Sequence, residues 1–242
     1  MKKNYPINRW TDKDVERHWD NVASIYVEEN NKVKEAHNQR FIESVKHLDL
    51  FPGCKVLNIS SRDCEANDYI NKEQPNAIVL NAEISAGLIE VANSIRPFVH
   101  QVKIESYNSL PFANGEFDRI LSLETLEHVS DPLQFLKELY RISTDESILV
   151  LSCPPATSEI PYRIFTFLFG GHGEGPHKFL SSKTVKNLFI ETGWKLKLHK
   201  GTVLLPVGPL KLQRIAENFI DKFQGTFISE LGIRQFFVCA KY

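Results

Sequence analysis

Residues 110–141, LPFANGEFDRILSLETLEHVSDPLQFLKELYR, leave this chain few architectures to fold into. Asn114-Gly115 is a turn signal, and the short, mostly apolar run Phe117-Asp118-Arg119-Ile120-Leu121-Ser122 behind it reads as a strand. Glu124, Glu127 and His128 follow, three ionisable groups within five residues. Asp131-Pro132 then opens a helix, with Asp as N-cap and Pro at the first helical position. Leu133, Leu136 and Tyr140 give that helix one apolar face, which Phe135 and Leu139 widen. A strand whose carboxyl end feeds a polar loop is where open α/β sheets place their ligands.

The rest of the chain extends this unit. Thr11 can cap a helix whose first turn carries Asp12 and Asp14, and residues 1–50 read as a helical segment, with a second helix from about Asn38 to Leu50. Strands are predicted at Lys55–Ile59, Ala77–Asn81, His100–Ile104, Phe117–Leu123, Ser147–Ser152, within Trp194–Val203, and at Arg234–Lys241. The run SILVLS is apolar throughout, as the centre of a parallel sheet requires. A helix is expected at Ala86–Ser94, another capped by Ser181 or Ser182 and ended by Gly193, and a third over Leu210–Phe223. Leu212, Ile215, Phe219 and Phe223 recur at helical spacing in the last of these.

With 242 residues and a net charge of −1, the chain suits one soluble domain without the basic surface that a nucleic acid backbone demands. Cys54, Cys64, Cys153 and Cys239 form no CxxC pair and read as buried, reduced thiols of a cytoplasmic protein. MKKNYPINRW lacks the apolar core of a signal peptide, and no apolar run is long enough to cross a bilayer.

Taken together, LPF, a turn, FD, an apolar strand, ETLEHV, DP and an amphipathic helix closely resemble class I S-adenosylmethionine-dependent methyltransferases. The likeness is to the small-molecule branch with type 11-like domains, which includes quinone, sterol and sugar methyltransferases. It covers nearly the whole chain in order. The fold it implies is α/β and Rossmann-like: a seven-stranded, mostly parallel sheet with helices on both faces and a small helical cap. One domain is expected over residues 1–242, with cap insertions at 156–180 and 204–225.

The resemblance assigns S-adenosylmethionine as cofactor and suggests which residues meet it. The family's first loop has the form DxGxGxG, where glycine permits tight turns and close backbone approach. Here Asn58, Ile59, Ser60, Ser61, Arg62, Asp63 and Cys64 occupy it, so Asn58 replaces the acid and every glycine is missing. Asn58, Ser60, Ser61 and Arg62 are the expected contacts, with Arg62 turned outward or onto the cofactor carboxylate. Glu83, followed by Ile84, falls where an acid accepts hydrogen bonds from both ribose hydroxyls, since a carboxylate offers two acceptor oxygens to a diol. Ser106 and Tyr107 are expected beside adenine, Leu123 and Glu124 beside the amino-acid end, and Tyr26 where an N-terminal helix folds over the ligand. Tyr26 and Tyr107 can equally serve as packing residues.

His128 and His177 are the candidate general bases, because imidazole titrates near neutral pH. His172, Glu174 and His177 lack a third strong partner ligand, so no metal is expected. The Phe-rich run IPYRIFTFLFGG (160–171) reads as a lid for an apolar substrate, a lipid-facing surface, a homodimer contact or an ordinary buried cap. The expected activity is methyl transfer to a small molecule, with an oxygen acceptor on a sugar or lipid-linked intermediate. The alternatives are a non-catalytic methyltransferase-like binding or scaffold protein and, more remotely, an RNA methyltransferase.

Overall fold

Thr11 begins the first helix through a reciprocal pair of hydrogen bonds. Its backbone N–H donates to Asp14 Oδ2 (2.8 Å), and its hydroxyl accepts from Asp14 N (3.3 Å), the capping box that satisfies two otherwise orphaned donors. In the computed structural model, which describes residues 7–160, 162–164, 175–206 and 208–241, this helix, α1, spans Asp12–Lys32. Val15, Trp19, Val22, Ala23 and Tyr26 form its buried stripe. Helix α2 (Lys34–His47) starts four residues ahead of its expected position at Asn38.

The strands are β1 (Lys55–Ile59), β2 (Ile78–Glu83), β3 (Gln101–Lys103), β4 (Phe117–Leu123), β5 (Ser143–Cys153), β6 (Lys195–Thr202) and β7 (Arg234–Ala240). They form one seven-stranded sheet in the order β3-β2-β1-β4-β5-β7-β6. Strands β1 to β5 run parallel, and β7 lies antiparallel between β5 and β6. The expected fold is thus the observed one. Two strand ends differ by more than one residue. Strand β2 continues past Asn81 to Glu83, because Ala82 and Glu83 pair with Val102 and Lys103 of β3. Strand β5 starts at Ser143 rather than Ser147, since Ser143 pairs with Phe117 before a register shift.

The helices between strands are α3 (Ala66–Glu73), α4 (Ala86–Ile95), α5 (Pro132–Ile142), α6 (Ser182–Thr192) and α7 (Leu210–Ile220). No sequence signal marks α3. It is eight residues long, and its buried side is Ala66, Asn67 and Ile70, too little apolar periodicity to detect. Ser181 caps α6, and Gly193 ends it in the left-handed region at φ 90°.

Successive strand residues face opposite layers. Leu57, Ile120, Leu149 and Leu151 pack with α1, α4, α5 and α6, whereas Val56, Leu121 and Val150 pack with Phe41 of α2 and Ile70 of α3. Covering both faces buries most of β1, β4 and the carboxyl half of β5 and explains their apolar runs, whereas β2 and β3 are partly exposed. The apolar stripe of α7 behaves differently: Leu212, Ile215 and Phe219 are about half exposed (51%, 55% and 49%), and only Ile220 is buried. Most of the Phe-rich run, with His172 and Glu174, lies outside the described residues. Among those described, no helix is long and apolar enough to cross a membrane.

Candidate functional site

Every parallel strand from β1 to β5 ends on the same edge of the sheet, so the loops after β1, β2, β3 and β4 converge there. The loop after β1 has an unusual backbone. Ser60, Arg62 and Cys64 all adopt left-handed conformations, with φ of 55°, 52° and 63°. These are the three positions at which the resembled loop carries glycine. A non-glycine residue there costs on the order of 1 kcal/mol, so the turn geometry of a glycine loop is present without the glycines.

Glu83 ends β2 beside this loop and is wholly buried. Its Oε2 accepts the backbone N–H of Arg62 (2.8 Å), and its Oε1 accepts those of Ile84 (2.8 Å) and Ser85 (3.0 Å). The Arg62 side chain folds back over the same carboxylate, with Nη1 3.7 Å from Oε1, and its guanidinium carbon lies 3.7 Å from the centre of the Trp19 ring. Arg62 is buried, and its Nη1 has no hydrogen-bond partner among the described residues.

Helix α1 closes the cleft from above. Asp20 Oδ1 accepts Ser85 Oγ (2.7 Å) and Gly87 N (3.0 Å) at the start of α4, supplementing the Ser85 cap on Leu88 N. Asp12 accepts Ser106 Oγ (2.6 Å), Tyr107 N (3.0 Å) and Ser130 Oγ (3.1 Å), which ties the loops after β3 and β4 to the same helix. Neither aspartate stood out in the sequence; Asp12 showed only its helix-start role, and Asp20 showed none. Trp19 lies edge-on to His128 (5.5 Å between ring centres) and to Tyr26 (6.1 Å).

The remaining expected contacts divide into two groups. Ser60, Tyr107, Glu83, Ile84, Arg62 and Tyr26 gather around the cleft. Ser60 Oγ is hydrogen-bonded to Tyr107 OH (3.0 Å), and the wholly buried Tyr107 packs edge-on to Phe135, which makes it a packing residue in this conformation. The Tyr26 hydroxyl accepts from Arg40 Nη2 (3.3 Å). The others point into the protein: Asn58 Nδ2 donates to Asn81 Oδ1 (2.9 Å), Ser61 Oγ to Ala82 O (3.2 Å), and Leu123 joins the core. Glu124, left-handed at φ 50°, accepts from Ser152 Oγ (2.6 Å) and from Arg234 Nε (3.0 Å) at the start of β7.

The two histidines differ. His128 is buried, donates from Nδ1 to Pro176 O (3.0 Å) and has Nε2 4.0 Å from Glu127 Oε1. Burial, reinforced by the Arg62 charge, lowers its pKa to about 3, so the ring is neutral and weakly basic at pH 7. His177 is partly exposed. Its Nδ1 donates to Gly175 O (2.9 Å), its Nε2 lies 3.8 Å from Glu159 Oε2, and its ring packs on Phe179. Gly175 is what lets this loop approach α1, because a Cβ at φ 64° would run into the His18 ring. Gly175→Ala is expected to destabilise the fold by about 2–3 kcal/mol, read as a lower urea midpoint.

Comparison with known proteins agrees with this architecture. Residues 61–151 match the family model described as a methyltransferase domain. An uncharacterized methyltransferase of Mycobacterium sp. (strain KMS) is 36% identical over 31% of this chain, a stretch spanning only about a quarter (26%) of that protein's length. The ubiquinone/menaquinone biosynthesis C-methyltransferase UbiE of Desulfotalea psychrophila is 25% identical, covering 71% of this chain and 75% of the relative. A chain from the Haloferax volcanii complex of the Trm112 methyltransferase activator with a methyltransferase superposes with a TM-score of 0.70 at 14% identity, covering 93% of this chain and 96% of its own. The family-model match is confined to residues 61–151, and the likeness of fold extends over nearly the whole chain. A SAM-dependent methyltransferase of Thermotoga maritima, 18% identical, superposes with a TM-score of 0.62 over 93% of this chain and 99% of its own, so S-adenosylmethionine is the cofactor to fit to the cleft.

The cleft fits that cofactor in its backbone but not in its side chains. The loop has the left-handed turns, and Glu83 stands at the expected strand end. Yet the carboxylate that a ribose diol would need is wholly buried, spent on three backbone donors and covered by Arg62. A cavity of about 200 Å³ opens nearby between Val27, Lys34, His37, Asp63, Glu65 and Arg96, and neither Glu83 nor Trp19 lines it. In this conformation the Arg62 guanidinium occupies the place beside Glu83 that a ribose diol would take.

Proposed function

We propose that this protein is an S-adenosylmethionine-dependent methyltransferase acting on a small molecule. The observation that carries the reading is the retained left-handed geometry at Ser60, Arg62 and Cys64 beside Glu83. Strain of this kind persists where a surrounding structure over-determines it, commonly at ligand sites. The acceptor we favour is a hydroxyl oxygen on a sugar or lipid-linked intermediate. A net charge near zero disfavours a polyanion, and the exposed stripe of Leu212, Ile215 and Phe219 offers an apolar surface.

His177 is the base we favour over His128. It is partly exposed, carries its proton on Nδ1 when neutral and directs Nε2 toward Glu159, whereas His128 is enclosed and of low basicity. The test is calorimetric titration with S-adenosylmethionine and S-adenosylhomocysteine, followed by methyl-transfer assays on hydroxyl compounds. His177→Ala is expected to lower turnover about 100-fold or more while leaving cofactor affinity unchanged. Failure of the folded protein and of its cleft variants to bind either compound would move the assignment to a non-catalytic binding protein.

A further inference from the structure

Arg62 stands where the family's loop has a glycine, and its side chain lies in the cleft. The backbone at φ 52° directs it between Glu83 and Trp19. There it presents a cation to the carboxylate expected to hold a ribose diol and lays a flat, conjugated group against an aromatic ring. Nη1 is buried without a hydrogen-bond partner among the described residues, and Oε1 lies 3.7 Å away, beyond hydrogen-bond reach. An arrangement held by stacking and charge, with an unsatisfied donor, is one that a better ligand can displace.

We propose that Arg62 is a resident plug of the cofactor cleft, and that ligand enters only when its side chain swings away from Glu83 and Trp19. This rests on reading the cleft as a cofactor site. The same movement acts on α1, because Trp19 contacts Arg62 on one side and His128 and Tyr26 on others. The plug and the covering helix therefore share one contact, and opening the first loosens the second.

The experiment is S-adenosylhomocysteine binding by calorimetry to the full-length wild type, Arg62→Gly and Arg62→Ala, each shown to be folded by circular dichroism. Glycine suits the left-handed backbone, and alanine removes the guanidinium without that relief. Both variants are expected to bind at least 10-fold more tightly than wild type. Equal, measurable affinity in all three would overturn the plug while leaving the cofactor reading in place. No binding to any of the three would overturn both, since a cleft emptied of Arg62 would still take no cofactor.

Discussion

Glu83→Ala is expected to destabilise the fold by about 3–5 kcal/mol, the usual cost of removing one partner from a buried charged contact. The methyl group left behind satisfies none of the N–H groups of Arg62, Ile84 and Ser85, and the Arg62 guanidinium loses its nearest anion. Urea unfolding of the purified variant measures this directly. A midpoint within about 0.5 kcal/mol of wild type would show that water replaces the carboxylate and that the three donors are not enclosed. Glu83→Gln keeps the side chain's shape and one acceptor oxygen, so it should lose clearly less. That variant is the suitable background in which to ask whether the residue also holds ligand.

Acidification is expected to weaken the fold well before the carboxylates titrate. His128 is neutral in the native state, its pKa lowered to about 3 by burial and by Arg62, and His37 is lowered to about 4 by burial and by Arg40. An unfolded histidine titrates near 6.5. Between that value and the folded one, the unfolded chain binds more protons, so unfolding free energy rises with pH. The contribution is complete above about pH 6.5 and is lost as pH falls toward the folded values. For His128 alone the loss between pH 6.5 and pH 4 is about 3 kcal/mol. Chemical denaturation at several pH values should show this slope, and His128→Asn should flatten it. An unchanged slope in the variant would place the acid sensitivity elsewhere.

The sequence disclosed what local chemistry could disclose. Strand β4 and the Asp131-Pro132 helix start were legible because a turn, an apolar run and a cap stand side by side. Glu83 and the three loop positions were locatable only through the family resemblance, which aligns them with the ends of the first two strands. What sequence could not supply was the partner of each group. Trp19 lies 43 positions from Arg62 and looked like ordinary helix packing, and Arg234, which pairs with Glu124, comes 110 positions later. Asp12 read only as a helix-start acid and Asp20 gave no signal, yet they bind α1 to three loops. Helical spacing in α7 correctly gave an apolar stripe but not the direction it faces. That direction depends on the rest of the fold.

The position of β7 bears on how the molecule is made. It follows β6 in the chain, yet it lies inside the sheet, with β5 on one side and β6 on the other. A ribosome releases the amino end first, so β5 and β6 must wait with unpaired edges until residues 234–240 emerge. Arg234 arrives with them and supplies the cation beside Glu124. The Glu124 contact thus forms only after β7 has been made, and a nascent or truncated chain that stops before residue 234 lacks this ion pair as well as a closed sheet.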